Sequence, residues 1–206
     1  MKKTRLGVIA MGAIVLVSNI LVQFPLGNWL TWGAFTYPLA FLVTDLINRF
    51  YGAAAARRVV YFGLLVGLGC SFVGTQVMGA FGPLVTLRIA IGSATAFLAG
   101  QLLDVAIFDR LRAAAWWKAP FLSTLAGSAL DTAIFFSIAF SAGLIWLEPG
   151  NDVAWANESL PLLGFGPIAA LWVSLALADF AVKTAVDLGA LLPFRLALAK
   201  YAQRAV

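Results

Sequence analysis

The residues able to do chemistry are a few charged and amide side chains set inside long apolar runs. Asp45 and Arg49 lie four apart in TDLINRFYG with Asn48 between them, a spacing that puts acid and base on one helical face where they can pair. Gln101 and Asp104, three apart in GQLLD, also share a face and offer a polar ligand both donors and acceptors. Asp131 stands alone in SALDTAIFF, and Asp179, Lys183 and Asp187 form a ladder of step four in which the base can neutralise either acid. Arg88 opens another apolar run, where it can snorkel to lipid phosphate or close the outer end of a cavity. Each group has a bland alternative as well, either an interfacial position or an ion pair between helices. Asp187 and Asp109 are expected near a membrane surface.

The chemistry these residues exclude is equally informative. The chain has no histidine, which removes histidine metal sites, imidazole proton relays and His-based triads. Cys70 is the only cysteine, so no intrachain disulfide and no multi-cysteine metal site is possible. The aspartates lack the Gly-x-Gly-Asp context of intramembrane aspartyl proteases, and no Gly-rich loop ends in Lys-Ser/Thr to hold a nucleotide. An enzyme is therefore not expected, and neither is a cofactor.

The elements that position these groups follow from composition. Of 206 residues, 62% are apolar and 11% charged, far more apolar surface than one soluble core needs. Several apolar runs reach the roughly 20 residues that cross a hydrocarbon layer about 30 Å thick. The fold class expected is all-α: a single transmembrane domain over residues 1–206, a bundle of six helices at about 6–24, 30–50, 59–80, 84–109, 119–147 and 162–194. Asp131 then sits about 11 residues into the fifth helix, roughly 16 Å from its start and out of easy reach of either interface. An ionised side chain at the centre of a span costs about 2.5–3.5 kcal/mol even on lenient scales, so each acid needs a partner or a polar cavity.

Charge sets the orientation. Lys2, Lys3 and Arg5, then Arg49, Arg57 and Arg58, then Arg110, Arg112 and Lys118, and finally Arg195, Lys200 and Arg204 fall on one side of such a bundle. The opposite side carries Glu148, Asp152 and Glu158 and no Lys or Arg in its loops. The positive-inside rule then places both termini in the cytoplasm, and the tryptophans Trp29, Trp32, Trp146, Trp116 and Trp117 fall at the two interfaces. The net charge of +5 is thus a matter of topology, with no nucleic-acid partner expected. Gly63 and Gly67, and again Gly92, Ala96 and Gly100, recur every four residues and let helices approach closely. The loop from about 148 to 161 holds the triplet Asn157, Glu158, Ser159, a glycosylation pattern on paper and more simply a solvated loop or lid.

Several segments together resemble one family, the queuosine precursor transporters, and its Gram-negative branch in particular. They are SNILVQFP in the first helix, TWGAF and FLVTDLINRFYGAAAARR through the second, RIAIGS and GQLLDVAIFDRLR in the fourth, WWKAPFLSTLAGSALDTAIFF into the fifth and ADFAVK in the sixth. The resemblance covers nearly the whole chain. One departure is the motif Asn48, Arg49, Phe50, Tyr51, Gly52, where the family has Asn-Glu-x-Tyr-Gly and this sequence carries a base at the acid position.

The resemblance implies import, across the inner membrane, of 7-deazaguanine precursors of the tRNA nucleoside queuosine: the nitrile base, the aminomethyl base, with queuine a further candidate. A guanine-like edge presents N–H donors that a carboxylate accepts in pairs, while an amide addresses the ring carbonyl; Asp131, Asp104 and Gln101 are suitable groups. Asp179 or Asp45 would serve as counter-ion to the aminomethyl cation. Asn19 and Gln23, four apart on the first helix, would line the outer half of the same cavity, or simply hydrogen-bond between helices. With Arg88 and Lys183 these complete the candidate substrate-binding set, and the expected partners are that base and the lipid bilayer. A homodimer is compatible with the sequence. So are a substrate-binding subunit served by a separate ATP-driven module and a membrane protein whose polar residues only pair.

Overall fold

The structure, a computed structural model, describes residues 4–80 and 82–203, with side chains through 200; Lys2, Lys3 and Arg204 of the terminal basic clusters lie outside the described residues. Helix α1 (Arg5–Leu21) is apolar beyond Arg5 except for Ser18 and Asn19. It ends ahead of Pro25, which cannot donate to a helical ladder, and the chain reverses through Gly27 in a hairpin of β1 (Pro25–Leu26) and β2 (Leu30–Thr31). The continuous helix expected over 30–50 is instead two pieces, α2 (Gly33–Thr36) and α3 (Leu39–Tyr51). Pro38 is the reason: it has no N–H and crowds the preceding turn, so the ladder breaks at Tyr37. A single residue, Gly52 at φ +86°, joins α3 to α4 (Ala53–Gln76). Only glycine holds that backbone conformation without strain, and the joint brings Arg57 and Arg58 into the first turns of α4.

A hairpin of β3 (Met78–Gly79) and β4 (Gly82–Pro83) ends α4 short of residue 80 and leads into α5 (Leu87–Leu111), whose first turn is capped by Thr86 accepting from the Ile89 N–H at 3.3 Å. Helix α6 (Lys118–Phe140) stops at Ser141, and the expected continuation to 147 is a 3-10 turn over Ala142–Leu147. The last helix starts at 171 and not at 162, because Pro161, Gly164, Gly166 and Pro167 favour a hairpin of β5 (Ser159–Pro161) and β6 (Ile168–Ala170). Helix α7 (Leu171–Gln203) then runs 33 residues, about 50 Å, well beyond a hydrocarbon layer of about 30 Å.

Contacts fix the directions. Gly7, Gly63 and Gly67 place α1 beside α4 in parallel, Gly7 facing Val59, Gly63 facing Met11 and Gly67 facing Val15. Thr44 meets Gln101 and Asn48 meets Val105, so α3 and α5 run parallel. By contrast, α6 runs antiparallel to both α5 and α7, as Gly127 with Gly100, Ser128 with Asp187 and Ala119 with Phe194 require. The long segments α1, α3, α4, α5, α6 and α7 therefore alternate in direction. Arg49, Arg110, Arg112, Lys118, Arg195 and Lys200 gather at one end, with the acidic loop at the other.

The surface is inverted relative to a water-soluble protein. Phe72, Leu65, Ile9, Leu192 and Leu196 are largely exposed, while Asp45, Arg88, Gln101, Asp104, Asp131, Lys183 and Asp187 are buried. Helices α4, α5 and α6 are each long and apolar enough to cross a membrane, and α1 is a shorter apolar helix. Helix α7 is long enough but carries its three charges mid-way. The tightest crossing is α5 on α6, where a Cβ on Gly127 would lie 2.8 Å from the Gly100 carbonyl and one on Gly100 2.8 Å from the Gly127 carbonyl. Backbone cannot yield as a side chain can. Gly127→Val is therefore expected to lower stability by about 1–3 kcal/mol or more, read as earlier thermal unfolding in detergent; unchanged unfolding would mean that this contact is not tight.

Candidate functional site

Helix α6 organises the polar interior. Thr124, Ser128 and Thr132 recur at every fourth position and so form one stripe, and each hydroxyl serves the acids packed against it. Thr132 Oγ1 meets Asp179 at 3.1 Å, Ser128 Oγ donates to Asp187 at 3.2 Å, and Thr124 Oγ1 lies 3.2 Å from Asp45 and 3.3 Å from Asp104. Such hydroxyls are short enough to stay inside a helix and polar enough to replace water around a buried carboxyl.

Around the upper part of the stripe the charges are paired. Lys183 Nζ donates to Asp131 at 2.7 Å, to Asp179 at 2.6 Å and to Thr132 at 3.1 Å, which uses all three of its protons. Tyr37, freed to point inward by the break at Pro38, donates its hydroxyl to the other Asp131 oxygen at 2.7 Å, and its ring lies 5.1 Å from the ammonium. The lower part has no cation among the described residues. Asp45 and Asp104 face each other across Thr124, with Ser123 3.4 Å from Asp45, and Thr44 donates to Gln101 at 2.6 Å. The Gly100–Gly127 contact lies between these two parts, because a Cβ on Gly100 would meet Asp131 and one on Gly127 would meet Asp104.

Two atoms in the lower part have no hydrogen-bond partner among the described residues: Gln101 Nε2 and Asp104 Oδ2, a donor and an acceptor one helical turn apart on side chains with no exposed surface. Leaving a buried polar atom unmet costs about 1–3 kcal/mol, so such a pair marks a place prepared for something else. Two small cavities reach the interior. One of about 40 Å³ is bounded by α1, α4 and α5 and lined by Asn19, Tyr37, Ser71, Ser93 and Phe97. The other, about 10 Å³, is lined by Asp45, Thr124, Asp187 and Phe194. By the roughly 10–15 Å³ that one water needs, the smaller holds one water at most and the larger a few, and neither admits a bicyclic base; at these two places the helices are closed together.

Of the candidates read from the sequence, Asp45, Gln101, Asp104, Asp131, Asp179 and Lys183 come together in this interior. Asn19 lines the larger cavity while its amide donates to the Val15 carbonyl. Gln23 is exposed beyond the end of α1 and joins none of them. The local Asp45–Arg49 pair does not form: Asp45 turns toward α6, while Arg49 donates to the Arg112 carbonyl at 2.8 Å. Asp187, expected near the surface, is buried against Ser128. Asn157 is a brace, its amide spanning the Phe140 and Val153 carbonyls at 2.9 and 2.8 Å.

Arg88 does not snorkel. It has no exposed surface and donates to the carbonyls of Ile138 and Ser141 at 2.9 and 2.6 Å, closing the end of α6. Arg88→Met is expected to lower the unfolding temperature in detergent, at about 1.5–3 kcal/mol for each lost charged hydrogen bond. An unchanged melting curve would show that the end of α6 is held by other contacts.

Sequence reasoning missed Tyr37 and the hydroxyls of Thr44, Ser123, Thr124, Ser128 and Thr132. A signal existed for three of them, the step-of-four stripe on the helix that carries Asp131, and for Tyr37 in its place before a proline inside an apolar run.

Comparison with known proteins gives consistent results. A family described as "Putative vitamin uptake transporter" matches residues 31–198. The "Queuosine precursor transporter" of Escherichia coli (strain K12) is 38% identical over 87% of this chain and 79% of its own length. A "Probable queuosine precursor transporter" of Haemophilus influenzae is 38% identical over 62% of this chain and 65% of its own, and one of Bacillus subtilis 29% identical over 77% and 67%. No solved structure matches the chain.

Proposed function

From the premise that this chain belongs to the queuosine precursor transporter family, we propose that it imports 7-deazaguanine precursors of queuosine across the inner membrane. It is a multi-pass membrane protein and a transporter, not an enzyme. In this reading six segments cross the bilayer as one domain, α2 and α3 making a single broken crossing. The basic end, with both termini, faces the cytoplasm by the positive-inside rule.

The observation that carries the site is the open pair Gln101 Nε2 and Asp104 Oδ2. A 7-deazaguanine has a ring N–H and an amino group side by side, which suit a carboxylate, next to a carbonyl, which suits an amide N–H. Phe41 and Phe97 stand nearby, each edge-on to Tyr37, surfaces on which a flat bicycle can stack. Asp131 and Asp179, two acids to the single Lys183, leave a net negative upper layer through which the cationic aminomethyl base passes. Since neither of the two cavities admits a base, transport requires the helices around the α5–α6 contact to open to one side and then the other.

The test is accumulation of labelled nitrile and aminomethyl bases by a strain unable to synthesise queuosine, with and without this chain, followed by uptake into liposomes holding the purified chain alone. Uptake in both is expected. Liposomes that stay empty until an ATP-driven partner is added would make the chain a capture subunit.

A further inference from the structure

We infer that Asp45 and Asp104 form a proton-binding site, one proton shared between two carboxyl groups, and that the closed conformation forms only when that proton is present. This rests on the transport reading for its consequence in uptake, but the site itself stands on geometry.

The two side chains are 2% and 0% exposed, and their carboxyl groups lie within hydrogen-bonding reach of one another. A hydrogen bond between carboxyl groups needs a proton on one of them. Thr124 cannot supply it to both, because its single hydroxyl hydrogen is offered to Asp45 at 3.2 Å and to Asp104 at 3.3 Å at once. Asp104 Oδ2, fully buried, accepts from no hydroxyl, amide or cation among the described residues. Two ionised carboxylates in contact, out of water and without a cation, would repel with nothing to offset them.

Among the described residues the surroundings offer no substitute charge. On α3 itself Arg49 is turned away to the Arg112 carbonyl. Helix α4 packs Ala56, Val59 and Val60 against α3, α1 brings Met11 and Val15, and α6 brings Ser123 and Thr124. On α5, Asp109 is taken by Arg112. Helix α7 contributes a third acid, Asp187, which shares the small cavity with Asp45, while the lysine one turn before it is held by Asp131 and Asp179. That cavity, about 10 Å³, gives the proton a water-sized way toward Asp187. When a deazaguanine enters, its ring N–H takes the Asp104 oxygen and the proton stays on Asp45, so the site remains neutralised.

The test has two readouts. Infrared spectra of the purified protein, taken without any base, are expected to show a protonated-carboxyl band that disappears as pH is raised and that both Asp45→Asn and Asp104→Asn remove. Either variant suffices should the other fail to fold. Uptake of the nitrile base, normalised to each protein's own maximum, is expected to fall about tenfold per pH unit above the midpoint in the wild type, as for one proton, and to flatten in Asp45→Asn. No band in the wild type, or a band untouched by both variants, overturns the site. Uptake that is insensitive to pH, or that follows sodium and not pH when sodium is exchanged for choline, overturns its role in closure. A wild type that shows the band but takes up no base would leave the proton site standing and refute the transport reading instead.

Discussion

Lys183→Met is expected to leave little or no folded protein, the largest single effect in the molecule. The ammonium is the only cation in contact with Asp131 and Asp179 among the described residues, and its removal leaves two acids inside the bilayer with only Tyr37 and Thr132 as donors. Breaking a buried pair by deleting one partner costs about 3–5 kcal/mol. The triple variant Lys183→Met, Asp131→Asn, Asp179→Asn removes both signs together and is expected to recover much of the lost stability, since neutral replacement of a whole buried ion set is close to neutral in energy. Monodispersity and thermal unfolding in detergent measure both. A stable single variant would mean that the acids are neutral or solvated, and no recovery in the triple variant would mean that the lysine stem matters more than its charge.

The second large effect is on substrate. Asp104→Asn keeps the shape of the side chain but replaces one carboxylate oxygen with a donor that faces the donors of the base. Loss of a charge-assisted hydrogen bond of about 1.5–3 kcal/mol predicts roughly ten- to 150-fold weaker apparent affinity for the nitrile base in uptake. Gln101→Met should cost less, since a neutral amide bond is worth about 0.5–1.5 kcal/mol. Because both residues are assigned to one ligand edge, the double variant should lose less than the two single losses combined. Full additivity would separate Gln101 from the base, and unaltered affinity in Asp104→Asn would remove Asp104 from the site.

Much of this arrangement is legible in the sequence, and the rest is hidden for physical reasons. Apolar runs and basic clusters locate the helices because the bilayer demands length and apolar character. The ends are less legible, since Pro38, the single joint at Gly52 and the Pro- and Gly-rich stretch from 161 to 167 act through local backbone geometry and not through hydropathy. Buried acids announce themselves by cost, which is why Asp131, Asp104 and Lys183 stand out. Their partners do not: the Asp45–Arg49 spacing suggests a pair, yet which way a side chain turns depends on α6, some 80 residues later in the chain. Serine and threonine are cheap enough in an apolar helix to escape notice until an acid is seen resting on them.

The hydroxyl stripe on α6 has a mechanical side. Ser128 and Thr132 are spaced by four residues, about 6 Å along the axis, and so are the Asp187 and Lys183 that they meet on the antiparallel α7. Two combs of equal pitch mesh at whole-tooth offsets and lose every bond in between. Any sliding of α7 along α6 is thereby restricted to discrete steps of about one helical turn, so this pair of helices can ratchet but cannot drift.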